Sequence, residues 1–272
     1  MARLPSTLLS RRAAYISLGL LALVLVVAGC GTEPEKAPPR PQADIERFTV
    51  RAQAAALINP KSRKGKVVVY THGSGETIEN IFRDPKKQAM FTTLLAAGYA
   101  LAATDAHGDN WGNRASVDDN LALVAELRRR GLRDLYVLAL SMGGFDGLAL
   151  LGRVPVRAWA GIFPACDLAS VYALGLYRGQ IRAAYGSTGR PLGDAIARRS
   201  PIEFAAPGGL PMRFWASPGD RVIPKGENTD ACAALARRRG ADVEVTTTRG
   251  DHGDPSNYDA QGVLRLFESA DG

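Results

Sequence analysis

A serine stands where an apolar strand meets a glycine-rich helix, in residues 136–144 with the sequence YVLALSMGG. A turn of this kind is tight, so the positions two before and two after the serine must carry small residues. Here those positions hold Ala139 and Gly143 around Ser141. A serine held on such a turn can serve as the nucleophile of acyl transfer when a base takes its proton. The alternative is an ordinary surface serine at a helix N-terminus.

A second glycine-rich segment, residues 69–75 (VYTHGSG), directly follows a short buried strand. Together the two segments resemble α/β-hydrolases: Ser141 matches the nucleophile elbow, and residues 72–75 match the His-Gly-x-Gly loop that supplies one oxyanion-hole donor. The family usually has glycine at both small positions of the elbow, so Ala139 is a departure, although its single methyl group is compatible with the turn. The resemblance extends over residues 45–270 or so, nearly the whole predicted domain.

The resemblance implies two backbone N–H donors for a developing oxyanion. They are those of Met142, next after the nucleophile, and of Ser74, or of a neighbour of Ser74 in the loop. Preorganised donors of this kind are worth roughly 3 kcal/mol each. His72 would then hold the loop in place and would not act as the base.

The base and the acid follow from the chain order of the family, which is serine, acid, histidine. Of the three histidines in the chain, only His252 follows Ser141, and it lies in residues 249–254 (RGDHGD), between the last predicted strand and the last predicted helix. The segment ASPGDRVIP, residues 216–224, resembles the acid turn of the family and offers Asp220. Asp167 is the alternative acid. Asp220 could also be an ordinary turn residue without a catalytic role, since turns are the commonest setting for aspartate.

These residues predict a serine hydrolase that cleaves a carboxylic ester or a related acyl bond through an acyl-enzyme intermediate, with no cofactor and no metal. An acyltransferase on the same triad is one alternative. A cell-surface binding module of the same fold is another, which a missing contact between Ser141 and His252 would favour. The small-molecule acyl substrate is not defined by the sequence.

The segment at residues 104–113 (TDAHGDNWGN) follows a predicted strand at the edge of the sheet where ligands bind in open α/β folds. Asp105, His107 and Asp109 could be metal ligands, but no other His/Asp cluster accompanies them. We prefer a loop beneath the active site, with Trp111 lining the acyl or leaving-group pocket.

Continuous apolar runs separated by helical patterns predict a doubly wound, mostly parallel sheet, the α/β-hydrolase fold. Residues 45–58 are expected to add one or two antiparallel strands. The predicted strands are residues 67–70, 100–104, 135–140, 158–163, 212–216 and 243–246, and the predicted helices are residues 117–130, 142–151, 227–239 and 255–268.

A long insertion at residues 167–210 predicts a small helical cap. Four of its residues could line an apolar pocket or, as we prefer, form the core of the cap itself. They are Tyr172, Leu174, Leu176 and Tyr177.

The first 29 residues combine a basic start with an apolar run and predict a signal peptide. The run ends in VAGC, residues 27–30, which resembles a bacterial lipobox and predicts that Cys30 is lipidated. An uncleaved membrane anchor and plain secretion are the alternatives. Residues 30–43 are rich in proline and charge, and they predict a disordered tether to a hydrolase domain at residues 44–270. The chain is therefore expected to be extracytoplasmic and anchored to the cell membrane by lipid.

The composition fits this picture and gives no sign of a nucleic-acid partner, and it leaves the oligomeric state open. The chain has 272 residues and a net charge of +7, and three arginines of the signal segment account for part of that charge. The remaining +4 does not indicate a nucleic-acid partner. Cys166 and Cys232 could pair in an oxidising compartment or stay as buried thiols.

Overall fold

The structure is a computed structural model that describes residues 45–62, 65–186, 190–200 and 202–271. The predicted signal peptide (1–29), the tether (30–43) and Cys30 lie outside these residues. Eight strands form one sheet in the order β1-β2-β4-β3-β5-β6-β7-β8. They are β1 (Ile45–Val50), β2 (Gln53–Ile58), β3 (Lys66–Thr71), β4 (Ala100–Thr104), β5 (Asp134–Leu140), β6 (Ala158–Ile162), β7 (Pro211–Ala216) and β8 (Asp242–Thr247).

The sheet is parallel from β4 to β8, and β1 and β2 form an antiparallel edge. This arrangement confirms the predicted fold class and the predicted strands. The carboxyl ends of the parallel strands meet at one edge, where open α/β sheets bind their ligands. The helices are α1 (Pro85–Ala96), α2 (Arg114–Arg129), α3 (Gly143–Leu150), α4 (Leu168–Leu174), α5 (Arg178–Tyr185), α6 (Arg190–Arg198), α7 (Ala231–Arg238) and α8 (Ala260–Ser269).

Helices cover both faces of the sheet because each central strand is apolar on both sides. In β3, Val67 and Val69 belong to the hydrophobic cluster that includes residues of α2, α3 and α7, whereas Val68 and Tyr70 belong to the cluster that includes residues of α1 and α8. Successive side chains of a strand point to opposite faces, so a run of apolar residues needs cover on both. The uninterrupted hydrophobic strands of the sequence are explained by this double cover.

Some predicted helix boundaries were wrong. Helix α1 was not predicted. Helix α2 begins earlier than expected, with Asn113 as its N-cap (the backbone N–H of Ser116 donates to its side chain, 2.9 Å). Residues Pro255–Asn257 form a separate 3₁₀ turn, and α8 begins only after Asp259, which accepts from the N–H of Gly262 at 2.8 Å.

Helices α4, α5 and α6 lie between β6 and β7 and form the predicted cap. Tyr172 and Tyr177 are half-buried and pack against the main core, whereas Leu174 and Leu176 are 44% and 65% exposed. The tyrosines therefore act as core residues, and the leucines belong neither to the core of the cap nor to a closed pocket. In the part of the chain that the structure describes, no helix is both long and apolar enough to cross a bilayer.

Candidate active site

Ser141 lies on the sharp turn between β5 and α3, at the edge where the parallel strands end. Its φ angle is +49°, a left-handed conformation that non-glycine residues rarely adopt. The turn is held from both sides, because the N–H of Ser141 donates to the carbonyl of Ile162 at 3.0 Å and its own carbonyl accepts from Ala165 at 2.8 Å. Strain that the surroundings maintain in this way is concentrated at functional sites.

The small residues of the turn are required by backbone contacts. A Cβ atom at Gly143 would lie 2.1 Å from the carbonyl oxygen of Thr71. Ala139 is tolerated because it faces another glycine: a Cβ on Gly147 would come within 3.0 Å of the Ala139 methyl. The methyl group of Ala139, where the usual residue is glycine, therefore fits because Gly147 in α3 has no side chain.

Ser141, His252 and Asp220 come together from three separate strand ends. The Ser141 Oγ lies 3.0 Å from His252 Nε2, and His252 Nδ1 lies 2.7 Å from Asp220 Oδ2. The other carboxylate oxygen of Asp220 accepts the backbone N–H groups of Val222 and Ile223, at 2.8 and 2.9 Å. The buried carboxylate is thus fully paired, and with its Nδ1–H directed at Asp220 the imidazole presents an acceptor to the serine.

The histidine loop is fixed against the acid turn and against an aromatic ring. Ser217 donates to the carbonyl of Gly250 at 2.6 Å, and a Cβ atom at Gly219 would come within 2.5 Å of that same oxygen. The ring of His252 packs on Phe163, with centroids 4.3 Å apart. Phe163 follows β6 with φ +36°, so a second strained turn supports the imidazole.

The loop after β3 leaves one N–H group available beside Ser141. Gly73 donates its backbone N–H to Glu76 at 2.9 Å, and Gly75 donates to Asp109 at 2.7 Å. Within the described residues, the N–H of Ser74 and the N–H of Met142 have no acceptor. These are the two groups that the sequence predicts as oxyanion donors, and the structure leaves both unpaired.

A polar network connects this loop to the cap. The Ser74 hydroxyl lies 2.8 Å from Asp109 Oδ1 and 3.0 Å from Gln180 Oε1, and the indole N–H of Trp111 donates to the same Gln180 oxygen at 3.2 Å. Trp111 is completely buried and packs against Tyr177, with ring centroids 4.7 Å apart. The expectation that Trp111 lines an open pocket is wrong, because the cap covers the indole.

The other candidate residues have separate structural partners. The His72 ring nitrogens lie 2.8 and 2.9 Å from the backbone carbonyls of Gly73 and Asp105, so His72 ties the loop to its neighbour, as expected. His107 pairs with Asp119 at 2.6 Å. No group of three or more potential metal ligands occurs among the described residues, and the side chains of the suspected cluster point to different partners.

The alternative acid and the two cysteines are also placed. Asp167 caps α4, accepting from the N–H of Ser170 at 2.8 Å, and Asp220 occupies the position beside the histidine. Cys166 and Cys232 are buried free thiols. Burial raises the pKa of Cys166 well above its usual value, and a hydrogen bond with Cys232 raises it further.

No protein-family profile and no curated protein sequence matches this chain. Solved structures do match. Puromycin hydrolase superposes with a TM-score of 0.64 at 16% identity over 84% of this chain and 39% of that one. The chain has the α/β-hydrolase fold. The Pyrococcus horikoshii acylaminoacyl peptidase gives a TM-score of 0.63 at 16% identity, over 83% of this chain and 41% of that one.

A shorter protein of this fold is covered more completely. The EstE5–PMSF structure gives a TM-score of 0.59 at 21% identity, over 84% of this chain and 83% of that one. The chain spans only about two fifths of the two larger proteins. The hydrolase fold is thus shared with long and short chains.

Three residues at the site were not identified from the sequence: Glu76, Phe163 and Gln180. Glu76 stands three positions after Gly73, close enough to have been considered as a local acceptor of its N–H. Gln180 meets Ser74 across 106 residues, and no local pattern marks such a contact. Phe163 has a strained backbone that only coordinates reveal.

Proposed function

We propose that this chain is a serine hydrolase that cleaves a carboxylic ester or a related acyl bond. The observation that carries the proposal is the unbroken relay from Asp220 through His252 to Ser141, with links of 2.7 and 3.0 Å. It supports an enzyme over a binding module, since the contact whose loss would have favoured the latter is present. The hydrolases and peptidase of the same fold support the same class of chemistry.

In the proposed reaction, Ser141 Oγ attacks the substrate carbonyl while His252 Nε2 takes its proton. Asp220 holds the Nδ1–H tautomer and stabilises the imidazolium that forms. The unpaired N–H groups of Met142 and Ser74 receive the oxyanion, and each would contribute roughly 3 kcal/mol to the transition state. His252 then protonates the leaving group, and water attacks the acyl-enzyme by the reverse sequence.

Hydrolysis of p-nitrophenyl esters of increasing acyl length tests the proposal directly. We expect Ser141→Ala and His252→Ala to lower kcat by at least ~10³-fold. Ser269→Ala removes an equivalent hydroxyl from the exposed end of α8 and should leave the rate unchanged. A folded wild-type protein with no esterase activity, or a Ser141→Ala variant as active as Ser269→Ala, would refute the assignment.

An alcohol added as a competing acceptor separates hydrolysis from acyl transfer. A hydrolase should release mainly the free acid, and an acyltransferase should release mainly the new ester. We propose hydrolysis, because nothing in the described residues favours an alcohol over water.

We further propose that the protein is extracytoplasmic and held on the membrane of a bacterial cell through lipidated Cys30. The support is the sequence of residues 1–43, with its basic start, apolar run and VAGC motif. Metabolic labelling with an alkyne fatty acid should mark the wild-type chain in a bacterial host but not Cys30→Ala. Equal labelling of both would refute lipidation at Cys30.

A further inference from the structure

A wide groove opens between the cap and the helices beneath it, separate from the triad. Its volume is about 1210 Å³, and its walls come from the start of α2, the end of α3, the end of α5, the α6 segment and the end of α7. Neither Ser141, Asp220 nor His252 lines it. The proposed hydrolytic reaction therefore leaves the groove without a role.

The groove is strongly basic. Five arginines line it against two carboxylates, Asp118 and Glu203, which leaves a local charge of +3. Guanidinium groups bind phosphate and carboxylate oxygens through paired N–H donors. The arginines are Arg114, Arg153, Arg198, Arg199 and Arg239.

Most of these guanidinium groups are not neutralised by the protein. Within the described residues, only Arg114 is in an ion pair, with Asp118 at 3.8 Å. Arg199 donates to the backbone carbonyl of Gly112 at 2.9 Å, and Arg153, in the turn after α3, donates to the backbone carbonyl of Ala149. A backbone carbonyl orients a guanidinium without cancelling its charge, so the groove keeps a positive field in a partly enclosed space.

Between the arginines, the groove also carries apolar side chains. A site with charge at some points and hydrocarbon at others suits a ligand with an anionic head and an apolar body. Because +3 exceeds the charge of one carboxylate, a phosphate monoester with about two negative charges matches the lining better. The apolar lining residues include Val117, Ala149, Tyr185, Ala195, Ile202 and Leu235.

From this lining, we propose that the groove binds an amphiphilic phosphate, meaning a phosphate monoester on an apolar chain. The site also touches the active-site loop. Arg199 contacts Gly112, and the Tyr185 hydroxyl donates to the carbonyl of Trp111 at 2.6 Å. The ligand would thus sit one contact away from the Trp111–Gln180–Ser74 network.

Isothermal titration calorimetry with n-octyl phosphate tests this proposal on the full chain. The probe has no acyl carbonyl, so binding is measured independently of the proposed hydrolysis. We expect saturable binding that weakens as salt is added. Inorganic phosphate reports the head group alone, and n-octyltrimethylammonium reports the tail with the opposite charge; both should bind at least about 10-fold more weakly.

Variants localise the binding. Combining Arg153→Gln, Arg198→Gln and Arg239→Gln should raise the Kd for octyl phosphate by at least about 10-fold. Arg265→Gln, on the exposed surface of α8 beside Asp259, is the matched control and should bind as wild type does. If the triple variant does not fold by circular dichroism, Arg198→Gln alone replaces it, since Arg198 has no partner within the described residues.

Four outcomes would overturn the proposal. These are no saturable binding to the wild type, equal binding to the groove variant and Arg265→Gln, equal affinity for inorganic phosphate, or equal affinity for the cationic amphiphile. None of these outcomes depends on ester hydrolysis, so the proposed binding groove and the proposed hydrolase activity are tested independently.

Discussion

Replacing Gly143 by alanine should damage the site more than the size of a methyl group suggests. The added Cβ would lie 2.1 Å from the carbonyl oxygen of Thr71 and 2.7 Å from that of His72, both backbone atoms. Real Cβ contacts are essentially never shorter than 3.0 Å. Because a backbone carbonyl cannot rotate away like the end of a side chain, β3 and the turn at Ser141 must separate by roughly 1 Å.

That displacement allows two estimates. Overpacking of a close-packed core costs about 1–3 kcal/mol of unfolding free energy, which corresponds to a fall in Tm of roughly 2–10 °C for a domain of this size. A misplacement of about 1 Å between reacting groups costs about 100-fold in rate. We therefore expect Gly143→Ala to lower kcat/KM at least ~100-fold while most of the protein stays folded.

Ester hydrolysis and thermal melting, measured side by side, check both estimates. Gly179→Ala is the matched control, because a Cβ there would meet nothing within 4 Å and the residue lies in helix α5 of the cap. Alanine is favoured over glycine inside a helix by up to ~1 kcal/mol, so the control should keep its activity and its stability. Wild-type kcat/KM in Gly143→Ala, with an unchanged Tm, would refute the reasoning about the turn.

Three further changes test other parts of the site. Asp220→Asn should lower kcat by about 10⁴-fold with little change in fold, since an amide NH₂ can no longer select the Nδ1–H tautomer of His252. A kcat within about 10-fold of wild type would contradict the role of Asp220. Gln180→Leu should lower kcat/KM by about 10-fold, because the cap loses its contact with the Ser74 hydroxyl; an unchanged rate in the same ester assay would show that this contact does not position the loop. Asp146 lies outside the triad, buried in α3, where its carboxylate accepts from the Ser116 hydroxyl at 2.7 Å. Burial raises the pKa of Asp146 to about 6, so its stabilising contribution is complete below pH ~4 and is lost as pH rises through 6. As the pH is raised from about 4 to above 6, the urea midpoint of unfolding should therefore fall less in Asp146→Asn than in wild type. Plots of midpoint against pH that run parallel for the two proteins would contradict this.

Much of the fold and of the candidate site was predictable because it depends on local signals. The nucleophile turn needs a strand end, a serine and small neighbours within nine residues, all of which stand together at residues 136–144. The central strands are recognisable because cover on both faces demands uninterrupted apolar residues. The choice of Asp220 and His252 followed from the resemblance to α/β-hydrolases, which implies the chain order serine, acid, histidine.

Other features depend on a choice between two possible helix caps or on contacts between residues far apart in sequence. Both Asp254 and Asp259 can cap a helix, and the predicted helix at residues 255–268 begins directly after Asp254, with a proline at its first position. In the structure, Asp254 caps only a short 3₁₀ turn, and Asp259 caps α8. Helix α1 was missed although Asp84 caps it and Pro85 follows, the same signal as at Asp254, and although Met90, Phe91, Leu94 and Leu95 are buried; its first turn is polar and carries no apolar pattern.

The contact between the cap and the loop after β3 shows the same limit at the candidate site. Ser74, Asp109 and Gln180 come from three separated segments, and each alone resembles an ordinary polar surface residue. Trp111 was expected at the wall of a pocket because it follows a strand end, but the cap packs Tyr177 over the indole. Only the fold of the insertion at residues 167–210 decides between these two positions.

The most direct test of the central claim is to map the adduct that a fluorophosphonate probe forms on the intact protein. The relay from Asp220 to Ser141 predicts a single modified residue, Ser141, identified by peptide mass spectrometry, with the adduct lost in Ser141→Ala and formed far more slowly in His252→Ala. A folded protein that stays unmodified, or one labelled at a different serine, would contradict the account.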